Sequence, residues 1–487
     1  MQTITLAMSV DDIIGKVQDA VWGWPLIILI LAAGVWLTVR TGFVQVLHLG
    51  KALKFMVKNE DNGEGEVTSF GALCTALSAT IGTGNIVGVA TAICLGGPGA
   101  LLWMLLAAFF GMATKYSEGF LAIKYREKKD DSHYLGGPFY YIEKGMGSKW
   151  KWLAKLFAVF GICVGLFGIG TFTQINGIAT AVQDFFDPKS AHVAFTLFGN
   201  DYTWATVIGG LVVTLCVALV VLGGIQRIAK VSQVIVPFMA ITYVVFALII
   251  VLGHITAIPA AVKLICQSAF NPQAALGAAT GVTIKLAMQK GIGRGIFSNE
   301  AGLGSAPIAA AAAKTKDTVR QGLVTMTGTF IDTIVICTLT GLSIVVTGAQ
   351  NAFVAGSVEG VKITSRAWQT GLPWNGRFSA FVLMVCLAFF AFTTILGWNY
   401  YSERCLEYLV GSQKFTKVYR YLYILAVFIG PYLTVAAVWN IADICNGLMA
   451  FPNLIALFAL SGVVGKETRA YFAEKRHDLK AMAQDKK

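Results

Sequence analysis

An apolar stretch long enough to cross a membrane is interrupted in its middle, at positions 78–88, by Ser-Ala-Thr-Ile-Gly-Thr-Gly-Asn-Ile-Val-Gly. Inside hydrocarbon every backbone N–H and C=O group needs a partner within the protein, so a helix can break there only where its freed groups line a cavity. Three glycines among hydroxyl and amide side chains predict such a break. A broken helix at mid-membrane points to the binding site of a transporter.

A second segment of this kind lies in the other half of the chain, at positions 291–304, and reads Gly-Ile-Gly-Arg-Gly-Ile-Phe-Ser-Asn-Glu-Ala-Gly-Leu-Gly. Residues 81–84 and 292–295 both read Ile-Gly-x-Gly, and 211 residues separate them. A match this short can arise by chance in a chain with 52 glycines. Two breaks at corresponding places nevertheless indicate a secondary transporter built from inverted repeats.

The composition is that of a protein with many membrane-spanning helices. Of the 487 residues 56% are hydrophobic and 13% are charged, whereas soluble domains carry about a quarter charged residues. A span needs about 20 mostly apolar residues, and we predict eleven. They are Val21–Val39, Ser69–Leu95, Gly99–Ile123, Trp152–Val182, Tyr202–Leu222, Val231–Leu252, Gly277–Ala313, Gly322–Val346, Phe378–Tyr401, Tyr421–Val438 and Ile441–Val464.

The basic residues predict how these spans are oriented, because cytoplasmic loops carry an excess of Lys and Arg. One side of the predicted layout holds 28 of the 38 basic residues and the opposite side holds six. The richer side comprises the loops 40–68, 124–151, 223–230, 314–321 and 402–420, the tail from 465, and Lys155. This side is therefore predicted to be cytoplasmic, with the N-terminus outside and the C-terminus inside. The net charge of +12 needs no nucleic-acid partner to explain it.

The ten spans after the first divide into two sets of five, and each set begins with a broken helix. An odd number of spans per set forces the two sets to be inverted in the membrane, as in LeuT-type transporters. The predicted fold class is therefore an all-α polytopic membrane protein, a LeuT-like 5+5 inverted repeat with one additional N-terminal transmembrane helix. Its segments are an N-terminal region (1–67), two repeats (68–252 and 253–465) and a cytoplasmic tail (466–487).

The first break suits a bound substrate. Unwinding a helix frees N–H groups at one new end and C=O groups at the other; the N–H groups attract a carboxylate, and the C=O groups can bind a cation. Gly82, Thr83 and Gly84 fit a carboxylate, because glycine lets the backbone approach a ligand closely. The alternative is tight helix packing, since small residues also line helix interfaces in membranes. Asn85 and the flanking hydroxyl groups favour the binding site.

Each charged residue within the predicted spans has two possible roles. Arg294 and Glu300 lie in the second segment, and intramembrane charges usually face the protein interior. They either pair with each other or with freed backbone groups, or they serve in gating or proton coupling; Asp332 is a similar case. Lys115 and Glu118, one helical turn apart near a cytoplasmic end, indicate snorkelling or a local ion pair.

Polar clusters interrupt two other spans. In the ninth span, Thr393 and Thr394 can offer two hydroxyl ligands to a cation or bond back to their own helix. The cluster of the fourth span either binds neighbouring helices or faces the substrate. Its members are Thr171, Thr173, Gln174 and Asn176.

Three motifs occur in order along the chain: ALSATIGTGNIVG at 76–88, GGPFYY at 136–141 and GIGRGIFSNEAG at 291–302. On these motifs the chain resembles the alanine or glycine:cation symporter family (sodium:alanine symporters), part of the amino acid–polyamine–cation superfamily of LeuT-like fold. The resemblance extends from the first span to Val464. It implies sodium-driven uptake of alanine and glycine, with D-alanine and serine as further candidates, across a bacterial or archaeal inner membrane.

The resemblance also implies a site at the two breaks. The backbone of the first break would bind the substrate carboxylate, and a second sodium site would involve Asn85. The implied substrate-binding residues are Thr80, Gly82, Thr83, Gly84, Asn85, Gln174, Phe297, Ser298 and Trp398. The implied sodium ligands are Ser78, Ile81, Thr393 and Thr394.

Other functions compete with this expectation. Proton coupling through Glu300 or Asp332 is the nearest alternative. A channel needs a continuous polar pore, whereas the polar residues concentrate at two breaks. An enzyme needs a convergent nucleophile–base pair or a metal set, and neither the five histidines nor the nine cysteines have such spacing. We expect a sodium-coupled symporter with no catalytic residues, whose partners are a small neutral amino acid, Na⁺ and membrane lipid.

Overall fold

The computed structural model describes residues 10–58, 60, 63–130, 133–197, 200–271, 282–352, 360–433 and 435–484. Helices dominate, as expected where lipid cannot satisfy backbone hydrogen bonds. The helices between residues 10 and 125 are α1 Val10–Val21, α2 Trp24–Arg40, α3 Val44–Leu47, α4 Leu49–Val57, α5 Ser69–Thr80, α6 Val89–Gly96 and α7 Ala100–Tyr125. A π-helix, Gly84–Gly88, joins α5 to α6.

Two short antiparallel hairpins lie in the middle of the chain, β1–β2 and β3–β4. Their strands are β1 Glu127–Asp130, β2 His133–Leu135, β3 Val193–Leu197 and β4 Asn200–Thr203. The helices of this region are α8 Pro138–Tyr140, α9 Lys151–Phe167, α10 Phe172–Phe186, α11 Trp204–Val221, α12 Gly224–Gly253 and α13 Ile258–Phe270, with a π-helix at Tyr141–Gly145 and 3-10 turns at Ser148–Trp150 and Ile255–Ala257.

The last part of the described chain contains the second broken helix. The helices are α14 Ile284–Asn299, α15 Ala306–Ala310, α16 Thr318–Thr329, α17 Thr338–Val346, α18 Gly360–Gly371, α19 Gly376–Val410, α20 Thr416–Ile429 and α21 Val435–Gln484. A π-helix, Phe330–Cys337, joins α16 to α17, and 3-10 turns lie at Ala349–Ala352, Gln413–Phe415 and Gly430–Tyr432.

The predicted spans largely coincide with these helices, but their number stays a prediction. Among the described residues eight helices are long and apolar enough to cross a membrane, and the first broken helix makes a ninth. Helices α14 and α20, with 16 and 14 residues, are shorter than a full span. The predicted fourth span is two helices, α9 and α10, and α21 continues through the predicted tail. Gly277, the predicted start of the seventh span, lies outside the described residues.

One end of the bundle collects the segments predicted to be cytoplasmic, and we call it the basic end. Val67, before α5, and Ala313, after α15, form a parallel β-bridge. The guanidinium of Arg126 donates hydrogen bonds of 2.6–2.9 Å to four backbone carbonyls around this bridge. Lys124 pairs with Glu467 of the tail at 2.5 Å. The ends of both broken helices are therefore joined here by backbone hydrogen bonds.

Helix α7 lies at the centre of the bundle, against α14, α15 and α16 on one side and α2 on another. This enclosure explains why its C-terminal half is buried although it carries polar and charged residues. The exposed faces of α11 and α12 are rows of large apolar side chains, as a lipid-facing surface requires. The polar interior is thus concentrated around the two broken helices and α7.

Candidate functional site

The first break separates α5 from the π-helix that follows it. Ile81 is extended, with φ −76° and ψ 95°, and the two helical halves meet at an angle of 51°. A Cβ atom at Gly84 would lie 3.3 Å from the Cα of Ser298, and one at Gly82 would lie 2.5 Å from the hydroxyl of Thr394. The break therefore touches the second half of the chain on two sides, and a larger residue would displace Thr394 at position 82 or push against Ser298 at position 84.

Two backbone N–H groups of the first break have side-chain partners. The N–H of Gly82 donates to Asn85 Oδ1 at 2.9 Å, and the N–H of Thr83 donates to Gln174 Oε1 at 3.2 Å. Both acceptors are neutral amide oxygens on buried side chains. A substrate carboxylate can take the place of the Gln174 oxygen, because it offers the same kind of acceptor with a full negative charge.

The second break comprises residues 300–305, between α14 and α15. Glu300, Gly302 and Gly304 have φ values of 56°, 91° and 82°, a region that only glycine adopts readily. The Glu300 carboxylate accepts hydrogen bonds from the Ser305 hydroxyl and, at 2.9 Å, from the indole N–H of Trp398. These bonds fix the break to α19 and hold Glu300 in its strained conformation.

The Ile-Gly-x-Gly match between the two segments does not mark equivalent breaks. Residues 292–295 are helical, and the second break begins at Glu300. A Cβ at Gly291 would overlap the carbonyl group of Ala100, and one at Gly295 would lie 2.9 Å from Met104. These glycines let α14 approach α7 closely, so the packing alternative applies here.

Asp332 connects the two breaks. It lies fully buried in the π-helix between α16 and α17. Its carboxylate accepts hydrogen bonds from Asn85 Nδ2 at 2.7 Å, Ser298 Oγ at 2.9 Å and Thr333 Oγ1 at 2.7 Å. Asn85 belongs to the first broken helix and Ser298 to the end of α14. The Asp332 carboxylate and the Ser298 hydroxyl are hard oxygen donors of the type that binds Na⁺ and similar cations, whereas Asn85 turns its amide nitrogen to Asp332 and its oxygen to the N–H of Gly82.

The implied sodium ligands lie where α5 and α19 meet. Thr394 Oγ1 lies 3.3 Å from the carbonyl oxygen of Ile81, and Ser78 is on the face of α5 that packs against α19. Both threonine hydroxyls donate to the carbonyl of Phe390 in their own helix at 3.0 Å, and the second neighbour of the Thr393 hydroxyl is the sulfur of Met239 at 3.5 Å. Neutral oxygens from Ile81 and Thr394 thus face each other in a buried interface, a donor set that fits Na⁺.

Phe297 contacts the first break directly, with Cδ1 3.6 Å from the Cβ position of Gly84. The Arg294 guanidinium lies over the Phe297 ring, 5.4 Å from its centroid. The same guanidinium pairs with Asp443 of α21 at 3.6 Å. Of the alternatives for these two residues, pairing with each other is therefore not the described arrangement: Arg294 pairs with Asp443, and Glu300 bonds to Ser305 and Trp398.

Two residues implied for substrate binding have structural partners. The Thr80 hydroxyl donates to the carbonyl of Ala76 at 3.2 Å, and the Trp398 indole binds Glu300 as described above. In the fourth-span cluster both readings apply: Gln174 faces the first break, whereas Asn176 donates to the carbonyl of Leu433 at 3.2 Å. The role of each in substrate binding stays a prediction.

Lys115 and Glu118 are buried in the protein interior, with exposed fractions of 2% and 0%. The snorkelling prediction is therefore wrong, because α7 is enclosed by other helices and its side chains cannot reach the membrane surface. The predicted ion pair is present, with Nζ 4.0 Å from Glu118 Oε2.

A cavity of about 720 Å³ lies near the end opposite to the basic end, between α10, α18 and α19. It reaches Ile86, the residue after Asn85. Its charged lining residues are Asp184, Lys362, Arg366 and Arg377. The cavity thus extends from this end to the first broken helix, where Ile86 is buried, whereas hydrogen-bonded segments close the basic end.

The sequence did not identify Asp332 as a residue of the site. The available signal was its isolation, since it is the one carboxylate in an otherwise apolar span and is followed directly by Thr333. Its partner helices could not be read from the sequence, because they follow from how α14 and the first break pack together.

Two broken helices, joined at their breaks by a buried hydrogen-bond network within a helical bundle, define a LeuT-like secondary transporter. The solved structure of MhsT in complex with L-phenylalanine has the same fold: the match covers 84% of this chain and 99% of the MhsT chain, with a TM-score of 0.57 and 12% identity. A likeness at this identity shows the fold alone.

The sequence profile of the sodium:alanine symporter family matches residues 7–486, and the chain belongs to this family. A Haemophilus influenzae protein described as an uncharacterized transporter is 52% identical over 465 residues, 96% of this chain and 97% of that protein. The sodium/alanine symporter AgcS of Methanococcus maripaludis is 45% identical over 477 residues, 97% of this chain and all of AgcS. The protein is therefore a multi-pass membrane transporter and not an enzyme.

Proposed function

We propose that this protein imports small neutral amino acids, alanine and glycine foremost, together with Na⁺ by alternating access across the inner membrane of a prokaryote. D-alanine and serine are further candidate substrates. The observation that carries the proposal is the buried network of Asn85, Asp332 and Ser298, which joins both breaks beside the N–H groups of Gly82 and Thr83. The name of AgcS supports alanine and sodium as the transported pair.

The geometry of the first break favours a small substrate. Its N–H groups suit the carboxylate, and Phe297 lies directly against Gly84, in the space that a larger side chain would need. One misplaced methylene in an apolar pocket costs only about 1–3 kcal/mol. Alanine, glycine and serine should therefore compete within about two orders of magnitude, whereas leucine should be excluded by the clash with Phe297.

Two donor sets fit Na⁺. The first consists of the Ile81 carbonyl and the Thr394 hydroxyl, to which the family resemblance adds Ser78 and Thr393. The second consists of the Asp332 carboxylate and the Ser298 hydroxyl, and the amide nitrogen of Asn85 lies beside them. A bound Na⁺ would supply positive charge next to the substrate carboxylate. The protein residues hold the two breaks together and keep water from the site.

Uptake by purified protein in proteoliposomes tests this function. An inward Na⁺ gradient without a pH gradient should drive uptake of labelled alanine, and unlabelled glycine should compete while leucine should not. Full uptake in Na⁺-free buffer under a proton gradient would overturn the sodium assignment. An absence of alanine uptake under every gradient, by protein that is folded and inserted, would overturn the substrate assignment.

Proton coupling is the second candidate, and the burial of the Asp332 and Glu300 carboxylates in the network favours it. The same proteoliposomes distinguish the two ions. Proton coupling requires that a pH gradient alone supports uptake and that the internal pH changes with each substrate added. Sodium coupling requires neither.

The proposed orientation places the basic end in the cytoplasm. An impermeant thiol reagent applied to intact cells should label a Thr3→Cys variant and leave a Lys480→Cys variant unlabelled, in a background without exposed native cysteines. The opposite pattern would reverse the direction in which the cavity near Ile86 opens.

A further inference from the structure

Two side chains from distant helices hold the backbone of Gly302 in the second break. Its N–H donates to Glu118 Oε1 of α7 at 3.1 Å, and its C=O accepts from Asn453 Nδ2 of α21 at 2.9 Å. The Asn453 amide also donates to Glu118 Oε1 at 2.8 Å. We call Glu118, Asn453 and the backbone N–H and C=O groups of Gly302 the Gly302 clamp.

The backbone N–H groups of residues 301, 302 and 303 all have hydrogen-bond acceptors, and the clamp supplies the one for Gly302. The N–H of Ala301 donates to Asn299 Oδ1 at 2.9 Å, and the N–H of Leu303 donates to the carbonyl of Glu300 at 3.2 Å. Buried N–H groups without an acceptor are strongly unfavourable. The second break is therefore a fixed turn whose central residue is attached to two other helices.

The clamp contains a buried charge that Lys115 compensates. Its ammonium lies 4.0 Å from Glu118 Oε2 and contacts no hydrogen-bond acceptor among the described residues. A buried ion pair usually adds little stability over apolar side chains of the same size, so its presence favours a role in selecting one geometry.

Gly302 is four residues from Ser298, and the N–H groups of residues 300–302 between them all have acceptors. Ser298 donates to Asp332 and lies against Gly84. Because the turn is fixed, a shift of Gly302 moves Ser298. We propose that Glu118 and Asn453 are positioning residues for transport: through Gly302 they set where Ser298 stands against the first break, and so set the affinity for substrate and coupling ion. This inference rests on the proposed function.

Two double variants separate the geometry of the clamp from its charge. Both carry Lys115→Met; one adds Glu118→Gln, which keeps an oxygen acceptor for Gly302, and the other adds Glu118→Ala, which removes it. The Glu118→Ala double variant should have an apparent KM for alanine about tenfold above that of the Glu118→Gln double variant, with a smaller change in maximal rate. Equal KM values in the two would overturn the clamp.

Asn446 supplies a matched control for Asn453. Both are buried asparagines on α21, and Asn446 has no side-chain hydrogen bond within the described part of the chain. Asn453→Ala should raise the KM for alanine and the half-saturating Na⁺ concentration, whereas Asn446→Ala should leave both near wild type. Tyr141→Phe, which removes only the hydroxyl that donates to Asn453 Oδ1, should cause a smaller rise. Equal effects of Asn453→Ala and Asn446→Ala would contradict the proposal.

Cys337 provides a readout that needs no substrate. Its sulfur is buried and lies 3.5 Å from Ser298 Oγ, so displacement of Ser298 should expose it. Asn453→Ala should increase the alkylation rate of Cys337, measured by peptide mass spectrometry, while Asn446→Ala should not. If wild-type protein fails to transport alanine but Cys337 is alkylated faster in Asn453→Ala than in Asn446→Ala, the proposed function is wrong, whereas the positioning of Ser298 by the clamp is supported. If wild type transports alanine and the two rates are equal, only the clamp is wrong.

Discussion

The two breaks use different groups to satisfy the same freed backbone. At the first break, amide oxygens of Asn85 and Gln174 accept the N–H groups of residues 82 and 83. At the second break, Asn299 Oδ1 accepts the N–H of Ala301 and the Glu118 carboxylate accepts that of Gly302, while the Glu300 carboxylate ties the turn to Trp398 of α19. All of these groups are buried, but the first break uses amide oxygens alone, whereas the second also uses carboxylates.

This difference indicates that the first break is suited to bind a ligand and the second break to hold its position. Hydrogen bonds to charged groups are about twice as strong as those between neutral groups, so a substrate carboxylate can displace the Gln174 oxygen from Thr83 more easily than any ligand could displace Glu118 from Gly302. The first break is therefore suited to exchange ligands. The second is suited to stay fixed and to present Ser298 and Phe297 to it.

The largest effect is expected where the first break touches α14. Gly84→Val would place a side chain where Ser298 and Phe297 already lie, 3.3 and 3.6 Å from the first added carbon. We expect uptake of every substrate to fall by about hundredfold or more. Gly88→Ala is the matched control, because the atom nearest to its Cβ is Arg294 Cδ at 4.0 Å. Normal alanine uptake by membrane-inserted Gly84→Val protein would reduce the first break to a packing feature.

The next effect tests the link between the breaks. Asp332→Asn removes the charge that receives hydrogen bonds from Asn85 and Ser298. Since hydrogen bonds to charged groups are worth about 1.5–3 kcal/mol, the half-saturating Na⁺ concentration should rise by about ten- to hundredfold. Glu403→Gln, which breaks a pair with Arg420 at the basic end, should leave it unchanged. An unaltered Na⁺ dependence in Asp332→Asn would exclude Asp332 from the sodium site.

A smaller effect distinguishes two adjacent threonines. Thr394 faces the carbonyl of Ile81, whereas the hydroxyl of Thr393 faces Met239. Thr394→Val should raise the half-saturating Na⁺ concentration about fivefold, the cost of one neutral hydrogen-bonding oxygen, and Thr393→Val should raise it less. The two single variants can be compared by sodium titration of alanine uptake. A larger effect of Thr393→Val would show that the threonine side chains exchange roles when the ion is bound.

The smallest effect concerns the closed basic end, next to the start of α5. His133 contacts Glu407 Oε1 at 2.8 Å and Glu66 Oε1 at 3.2 Å. Burial lowers the pKa of His133, but hydrogen bonds to these carboxylates outweigh it and raise the pKa to about 9. Because this value lies above the ordinary value of 6.5, protonated His133 stabilises the closed end fully below about pH 6.5, and this contribution is lost as the pH rises through 9.

Opening at high pH can be followed at Ser69, a buried residue at the start of α5. In Ser69→Cys protein, the rate at which the introduced thiol is alkylated should rise between pH 7 and pH 10. The rise should exceed the one that thiol ionisation alone predicts by about two- to threefold. The effect is small because partly exposed ion pairs contribute little to stability. Adding His133→Gln should abolish the excess. A pH dependence that survives His133→Gln belongs to another group.

The sequence was sufficient to predict a LeuT-like membrane transporter and the position of its first break. The glycines and polar residues around Asn85 favoured a break over tight helix packing, and the charge asymmetry grouped the loops that meet at the basic end. Local composition determines both features, because lipid imposes the same demand on every segment.

Features that depend on helix packing were not predicted. The second break was predicted over the wider segment 291–304, because the glycines at 291–295 look alike whether they unwind a helix or let it approach α7. Lys115 and Glu118 were placed near a membrane surface, because their distance from the end of α7 says nothing about the helices around it. The substrate and sodium ligands named from the family resemblance stay predictions.

Asn85 and Asp332 both lie in π-helices, Gly84–Gly88 and Phe330–Cys337. A short π-helix amounts to one extra residue inserted in an α-helix, and removing that residue would turn every later side chain by about 100° around the axis. The contact between these two residues therefore depends on the length of each segment as well as on its composition. A single-residue deletion in either segment should be more damaging than most substitutions there, even with every named side chain retained.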